Sequence, residues 1–144
     1  MSLEDDITRG LAEMIDAAGI ATWRATGTYQ PGETAITIAT LPERTARAIA
    51  LMVYDTVDDP HLADSTVMVQ ATIRGTEDPR DVDELAGAIF DLISGRAGYT
   101  LGGIPVTEGH RRSWARLGRD GNGRWRRSDN YYLQVNNPTT HRTF

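Results

Sequence analysis

The sequence predicts an α+β fold: a mixed, mainly antiparallel β-sheet with two principal helices packed on it and a long C-terminal β-hairpin. Three observations predict it. Two segments carry apolar residues at three- and four-residue steps between good helix caps, much of the remainder follows the two-residue period of a strand, and residues 107–136 read as two strands around a glycine-rich tip. A length of 144 residues suits one ordinary domain, because a chain of this size buries roughly two-thirds of its unfolded surface. Residues 1–136 are expected to form that domain, and residues 137–144 (NPTTHRTF) a loosely ordered polar tail.

The first element is a helix. Ser2 suits its N-cap, Glu4, Asp5 and Asp6 sit at the positive end of its dipole, and Gly19 suits its stop. Leu3, Ile7, Leu11, Met14, Ile15 and Ala18 form one apolar stripe. A short strand over residues 20–24 follows. Turn residues at 28–33 then lead into strands over 35–40, 48–54 and 66–74. In the last of these, Val67, Val69, Ala71 and Ile73 alternate with Met68, Gln70, Thr72 and Arg74, so one face is buried and the other mostly polar. Residues 55–65 (DTVDDPHLADS) read as a connecting loop longer than a hairpin requires, of the kind that carries contacts.

The second helix has Asp78 at its N-cap, Pro79 at the first helical position, Asp81 and Asp83 in the first turn, and Gly95 as its stop. Val82, Leu85, Ala86, Ile89, Phe90, Leu92 and Ile93 are expected to face the core. A short strand pair follows over 99–106, turning at Gly102-Gly103. Beyond it the long hairpin runs over 107–117, a mobile tip at 118–123, and 124–136.

No combination of residues points to catalysis or to a cofactor. The absence of cysteine removes disulfides, thiolate metal sites and cysteine nucleophiles together. His61, His110 and His141 have none of the spacings of a zinc or iron site. The glycine-rich stretches 101–104 and 118–123 lack both a phosphate-loop lysine and a strand-to-helix setting. Asp120-Gly121-Asn122-Gly123 lacks the spaced ligands and closing Glu of a calcium loop. No apolar run approaches the roughly 20 residues that cross a bilayer, and the N-terminus is acidic rather than signal-like, so a soluble intracellular product with no membrane partner is expected.

The net charge of −5 conceals a division: residues 1–109 hold 7 Arg and 18 acids, a net of −11, whereas residues 110–144 hold 8 Arg and 2 acids, a net of +6. Every basic residue other than histidine is arginine, a planar fork suited to carboxylates, phosphates and aromatic faces, although a GC-rich coding sequence would give the same preference. In the hairpin Arg111, Arg112, Arg116, Arg119, Arg124, Arg126 and Arg127 lie among Trp114, Trp125, Tyr131 and Tyr132. Such a segment can anchor a protein interface, track single-stranded nucleic acid, or be a solvated hairpin whose charges guard its edge. The acidic body lacks the basic footprint of a nucleic-acid binder and complements the hairpin of another copy, with Asp58 and Asp59 as candidate acidic contacts. Charge reversal at Arg126 and Arg127 is accordingly expected to impair assembly and spare the fold.

Four segments carry a resemblance over nearly the full length: SLEDDITRGLAEMIDAAGI, the Ala48 to Tyr54 strand with DDPHLADS, VQATIRGTEDPRDVDELAGAIFDLISG, and LGRDGNGRWRRSDNYYLQV. With these the chain resembles the small minor capsid or tail-terminator proteins of siphophages. The resemblance implies a lambda-type tail-terminator-like fold and a virion protein of the neck, assembled in the bacterial host cytoplasm. It implies a homo-oligomeric ring of about six copies on the tail tube protein, meeting a head-tail connector protein, with genomic DNA passing through unbound. A head-completion protein of the same neck, and a nucleic-acid-binding regulator, are the alternatives.

Overall fold

A computed structural model describes residues 2–144. The elements in chain order are α1 (Leu3–Ala17), β1 (Thr22–Trp23), β2 (Ala35–Ile38), β3 (Ala48–Asp58), β4 (Asp64–Arg74), α2 (Pro79–Ile93), β5 (Ala97–Leu101), β6 (Ile104–Arg119) and β7 (Trp125–Asn136). The strands form one seven-stranded sheet in the order β1-β2-β3-β4-β7-β6-β5. β1, β2 and β3 are parallel to one another, and the other neighbours are antiparallel. The mixed, mainly antiparallel α+β fold is therefore present.

Both helices start as their caps dictate. The Ser2 hydroxyl accepts the Asp5 N–H at 3.0 Å, and the Asp78 carboxylate accepts the Arg80 N–H at 3.0 Å. Both pack on the same sheet face. Ile7, Leu11 and Ile15 of α1 and Val82, Leu85, Ile89 and Ile93 of α2 enclose a core with Ile49 and Leu51 of β3, Val67, Val69, Ala71 and Ile73 of β4, and Tyr131, Leu133 and Val135 of β7. Phe90 does not join them. One residue and about 100° on from Ile89, it falls at the margin of the stripe, is 41% exposed, and lies under the Arg111 guanidinium at 4.3 Å.

Contact between α1 and the sheet is backbone to backbone at one point. Gly10 faces the β5–β6 turn so closely that a Cβ there would stand 2.6 Å from the Gly102 nitrogen. The turn itself has positive φ at both central residues, +55° at Gly102 and +83° at Gly103, as a two-residue hairpin loop of this hand requires.

Four expectations need correction. The segment 55–65 is mostly strand: β3 runs on to Asp58 and β4 starts at Asp64, leaving a short turn that the Asp59 carboxylate ties by accepting the His61 and Leu62 N–H groups at 2.8 and 2.7 Å. A bulge between Val53 and Asp55 shifts the register and keeps this polar stretch paired. The strand pair over 99–106 and the first arm of the hairpin are not separate, because β6 is continuous from Ile104 to Arg119. Residues 137–144 are held rather than loose. The Arg142 guanidinium donates to the carbonyls of Asp59, Leu62 and Asp64, each at 2.9 Å, while the Asn137 and Ala63 N–H groups bond to Ala63 and Phe144 carbonyls. Finally, Arg74 ends the polar face of β4 yet is 2% exposed. Its guanidinium donates to the carbonyls of Pro42, Thr45 and Ala46 and so pins the β2–β3 connection over the face that lacks helices.

Candidate functional site

Strands β6 and β7 pair along nearly their whole length, and three register shifts make each of Thr107, Arg112 and Leu117 an extra residue in β6. Each bulge increases the local twist and re-aims the side chains beyond it. The arginines of the hairpin consequently divide between the two sheet faces and the edge.

Four of them are spoken for within the chain, three on the helix-covered face and Arg124 towards the connection that closes over the open face. Asp129 is 0% exposed and accepts from Arg127 at 2.8 and 3.2 Å and from Arg111 at 3.3 Å. Arg127, 5% exposed, also donates to Asp83 of α2 at 3.1 Å and stacks on the Trp114 ring at 3.8 Å. Arg116 donates to both Asp83 oxygens at 3.0 Å. Arg124 bonds Asp120 at 2.8 Å and reaches Glu43 at 3.1 Å. Asp120 also accepts the Asn122 and Arg124 N–H groups at 2.9 and 3.0 Å, so the tip expected to be mobile is tied down. Buried charge of this kind persists because each ion is both paired and hydrogen-bonded.

Arg112, Arg119 and Arg126 form no salt bridge among the described residues. Arg112 and Arg119 are exposed, and Arg119 lies 5.8 Å from the Trp125 ring centre. Arg126 sits on the open face in register with Arg74, half-buried, its Nε without a partner. Trp114 and Leu117 are both 45% exposed. Arg126 and Arg127 therefore separate: the first presents an unpaired guanidinium, while reversing the second would set a carboxylate beside Asp83 and Asp129. Reversal at Arg127 is therefore expected to destabilise the fold as well.

Asp58 and Asp59 lie elsewhere. Asp58 pairs in register with Ser65, which pairs with Val135, at the end of β7 remote from Trp125. One chain does not bring these carboxylates to the hairpin arginines. Backbone N–H groups of Leu62 and His61 hold the Asp59 carboxyl below its ordinary value. Asp83, Asp129, Arg74 and Arg142 were not anticipated as organising residues. Only Asp129 had a local signal, two residues from Arg127 and so on the same strand face.

Asp83 gives a pH prediction. Burial works against its charge, but hydrogen bonds from Arg116 and Arg127 outweigh that and hold its carboxyl below the usual carboxylate value. On acidification the unfolded chain takes up the proton first. The stabilising contribution is complete above the unfolded pKa of about 4 and is lost as pH falls through the lower folded value. The urea midpoint is expected to fall below about pH 4, and less steeply in Asp83→Asn. An equal slope in the variant would show that these pairs contribute nothing.

A model of the bacteriophage tail terminator protein family matches residues 14–137, most of the fold and all of the hairpin. The chain belongs to that family. As a tail terminator family member it is a structural protein of the phage tail. No protein of curated function matches its sequence. Among solved structures, a chain from the virion of a native gene transfer agent particle is similar, with a TM-score of 0.63 and 13% identity over 94% of this chain and 95% of that one. At that identity the likeness is one of fold.

Proposed function

We propose that this chain caps the tail tube as a homo-oligomeric ring, with about six copies, and presents the surface that the head-tail connector joins. The family match over residues 14–137 carries this reading. The surface supports it. Unpaired Arg112, Arg119 and Arg126 stand with Trp114 on one part of the sheet, and Asp58 and Asp59 on another, an arrangement that favours head-to-tail contact between copies. The net charge of −5 suits a channel that genomic DNA passes without adhering, since carboxylates repel the phosphate backbone. The ring binds the tail tube protein on one side and the connector on the other, and is a component of the virion neck.

Deleting the gene and imaging the particles tests the assignment. A terminator predicts overlong tails that fail to join heads. Tails of normal length beside heads that lose DNA would replace it with a head-completion protein.

A further inference from the structure

The sheet leaves two strand edges uncovered. β2 pairs only with Ala48–Leu51 of β3, so the part of β3 from Met52 to Asp58 has no strand partner on that side among the described residues. β5 pairs only with Ile104–Glu108 of β6. The Gly109 carbonyl and the Arg111 N–H are then taken by Gly95 and Ser94 at the end of α2. From Ser113 to Arg119 the outer side of β6 pairs with no strand among the described residues.

A monomer guards such edges with charge, proline or brevity, because a row of unpaired N–H and C=O groups is a template for another strand. These edges are long and carry large apolar groups: Met52 is 49%, Tyr54 46% and Val57 56% exposed on β3, and Trp114 and Leu117 each 45% on β6. Their charges are opposite. Asp55 and Asp58 on the β3 edge have no cation within salt-bridge distance, and Arg112 and Arg119 beside the β6 edge have no carboxylate, among the described residues.

We infer that a second copy of this chain covers each edge, β6 of one copy adding to β3 of the next to make a sheet continuous between subunits. This rests on the ring reading above and gives it a specific joint. Direction is correct without any reorientation: three antiparallel steps separate β3 from β6 within the sheet, so copies placed side by side meet antiparallel. The edges differ, so the contact is heterologous and can propagate round a closed ring. Their centres are offset. Asp55 aligns through Met68 with Tyr132, and Arg116 aligns with Arg127, five residues earlier on β7. Each copy is thus displaced along the strands by about 17 Å from its neighbour. Such a shear tilts the strands against the ring axis, as closure of any cylindrical sheet demands.

The chain has no cysteine, which makes disulfide trapping clean. One cysteine on the β3 edge (Asp55→Cys or Val57→Cys) is combined with one on the β6 edge (Ser113→Cys, Ala115→Cys or Leu117→Cys), and the protein is oxidised on tails it has terminated. At least one combination is expected to give a ladder of covalent multimers, while each single variant stays monomeric under denaturation. Rings seen on tube ends without cross-links in any combination overturn the edge joint and leave the ring standing. Tube ends carrying single copies overturn both. As a second measure, Asp55→Arg and Arg119→Glu alone are each expected to weaken ring formation roughly tenfold, with recovery in the double variant. No recovery counts against pairing of these two edges.

Discussion

Replacing Asp129 with alanine is expected to lower the free energy of unfolding by about 3–5 kcal/mol, the usual cost of stranding a buried partner charge. The carboxylate is 0% exposed and receives three hydrogen bonds from two guanidinium groups. Arg127 is itself 5% exposed, so without Asp129 its charge would depend on Asp83 and on the Trp114 ring. Total stabilities of about 5–15 kcal/mol leave little after such a loss. Arg119→Ala on the same hairpin is a fitting control, since Arg119 is exposed and forms no salt bridge, and it should change stability by under about 0.5 kcal/mol. Urea unfolding of the two variants decides the matter. A loss below about 1 kcal/mol in Asp129→Ala would mean that the network is merely solvated surface charge.

Two helical glycines should respond to alanine with opposite signs. Gly87 of α2 is exposed and a Cβ there meets nothing within 4 Å, so Gly87→Ala should stabilise by about 1 kcal/mol through helix propensity alone. At Gly10 the same propensity gain is opposed by steric conflict. The added methyl would stand 2.6 Å from the Gly102 nitrogen and 2.8 Å from Leu101 backbone atoms, none of which can rotate away. Separating α1 from the β5–β6 turn should cost about 1–3 kcal/mol before the gain is counted, and larger residues at position 10 more. Thermal melting of the pair reads both signs. A stabilised Gly10→Ala would show that the helix is not seated on the turn.

The parts of the fold that could be read from sequence are those fixed by neighbours in the chain. Ser2 and Asp78 cap their helices, the period-two alternation in β4 marks its buried face, and the second hairpin arm lies within a residue of its expected bounds. Where a distant partner decides the outcome, local pattern misled. Asp55, Thr56 and Asp58 look like loop residues, yet a bulge and full pairing with β4 hold them in a strand. Arg74 occupies a polar position in the alternation, but carbonyls from residues 42–46 close over it. The candidate interface divided for the same reason. All seven hairpin arginines look alike in sequence, and their carboxylate partners, Asp83 and Glu43 far along the chain and Asp120 and Asp129 within the hairpin, separate those committed internally from Arg112, Arg119 and Arg126.

Strand order also bears on how the protein is made. β7 is translated after every other strand, yet it lies between β4 and β6. Until it emerges from the ribosome, β4 and β6 cannot join, and a nascent chain carries two incomplete half-sheets with apolar faces unsealed. Folding during synthesis is therefore confined to local hairpins and helices, with the cooperative step deferred until β7 is free. Ribosome-stalled chains ending before Trp125 should remain sensitive to protease, and those extended past Asn136 by enough residues to fill the exit tunnel should become resistant together in one step.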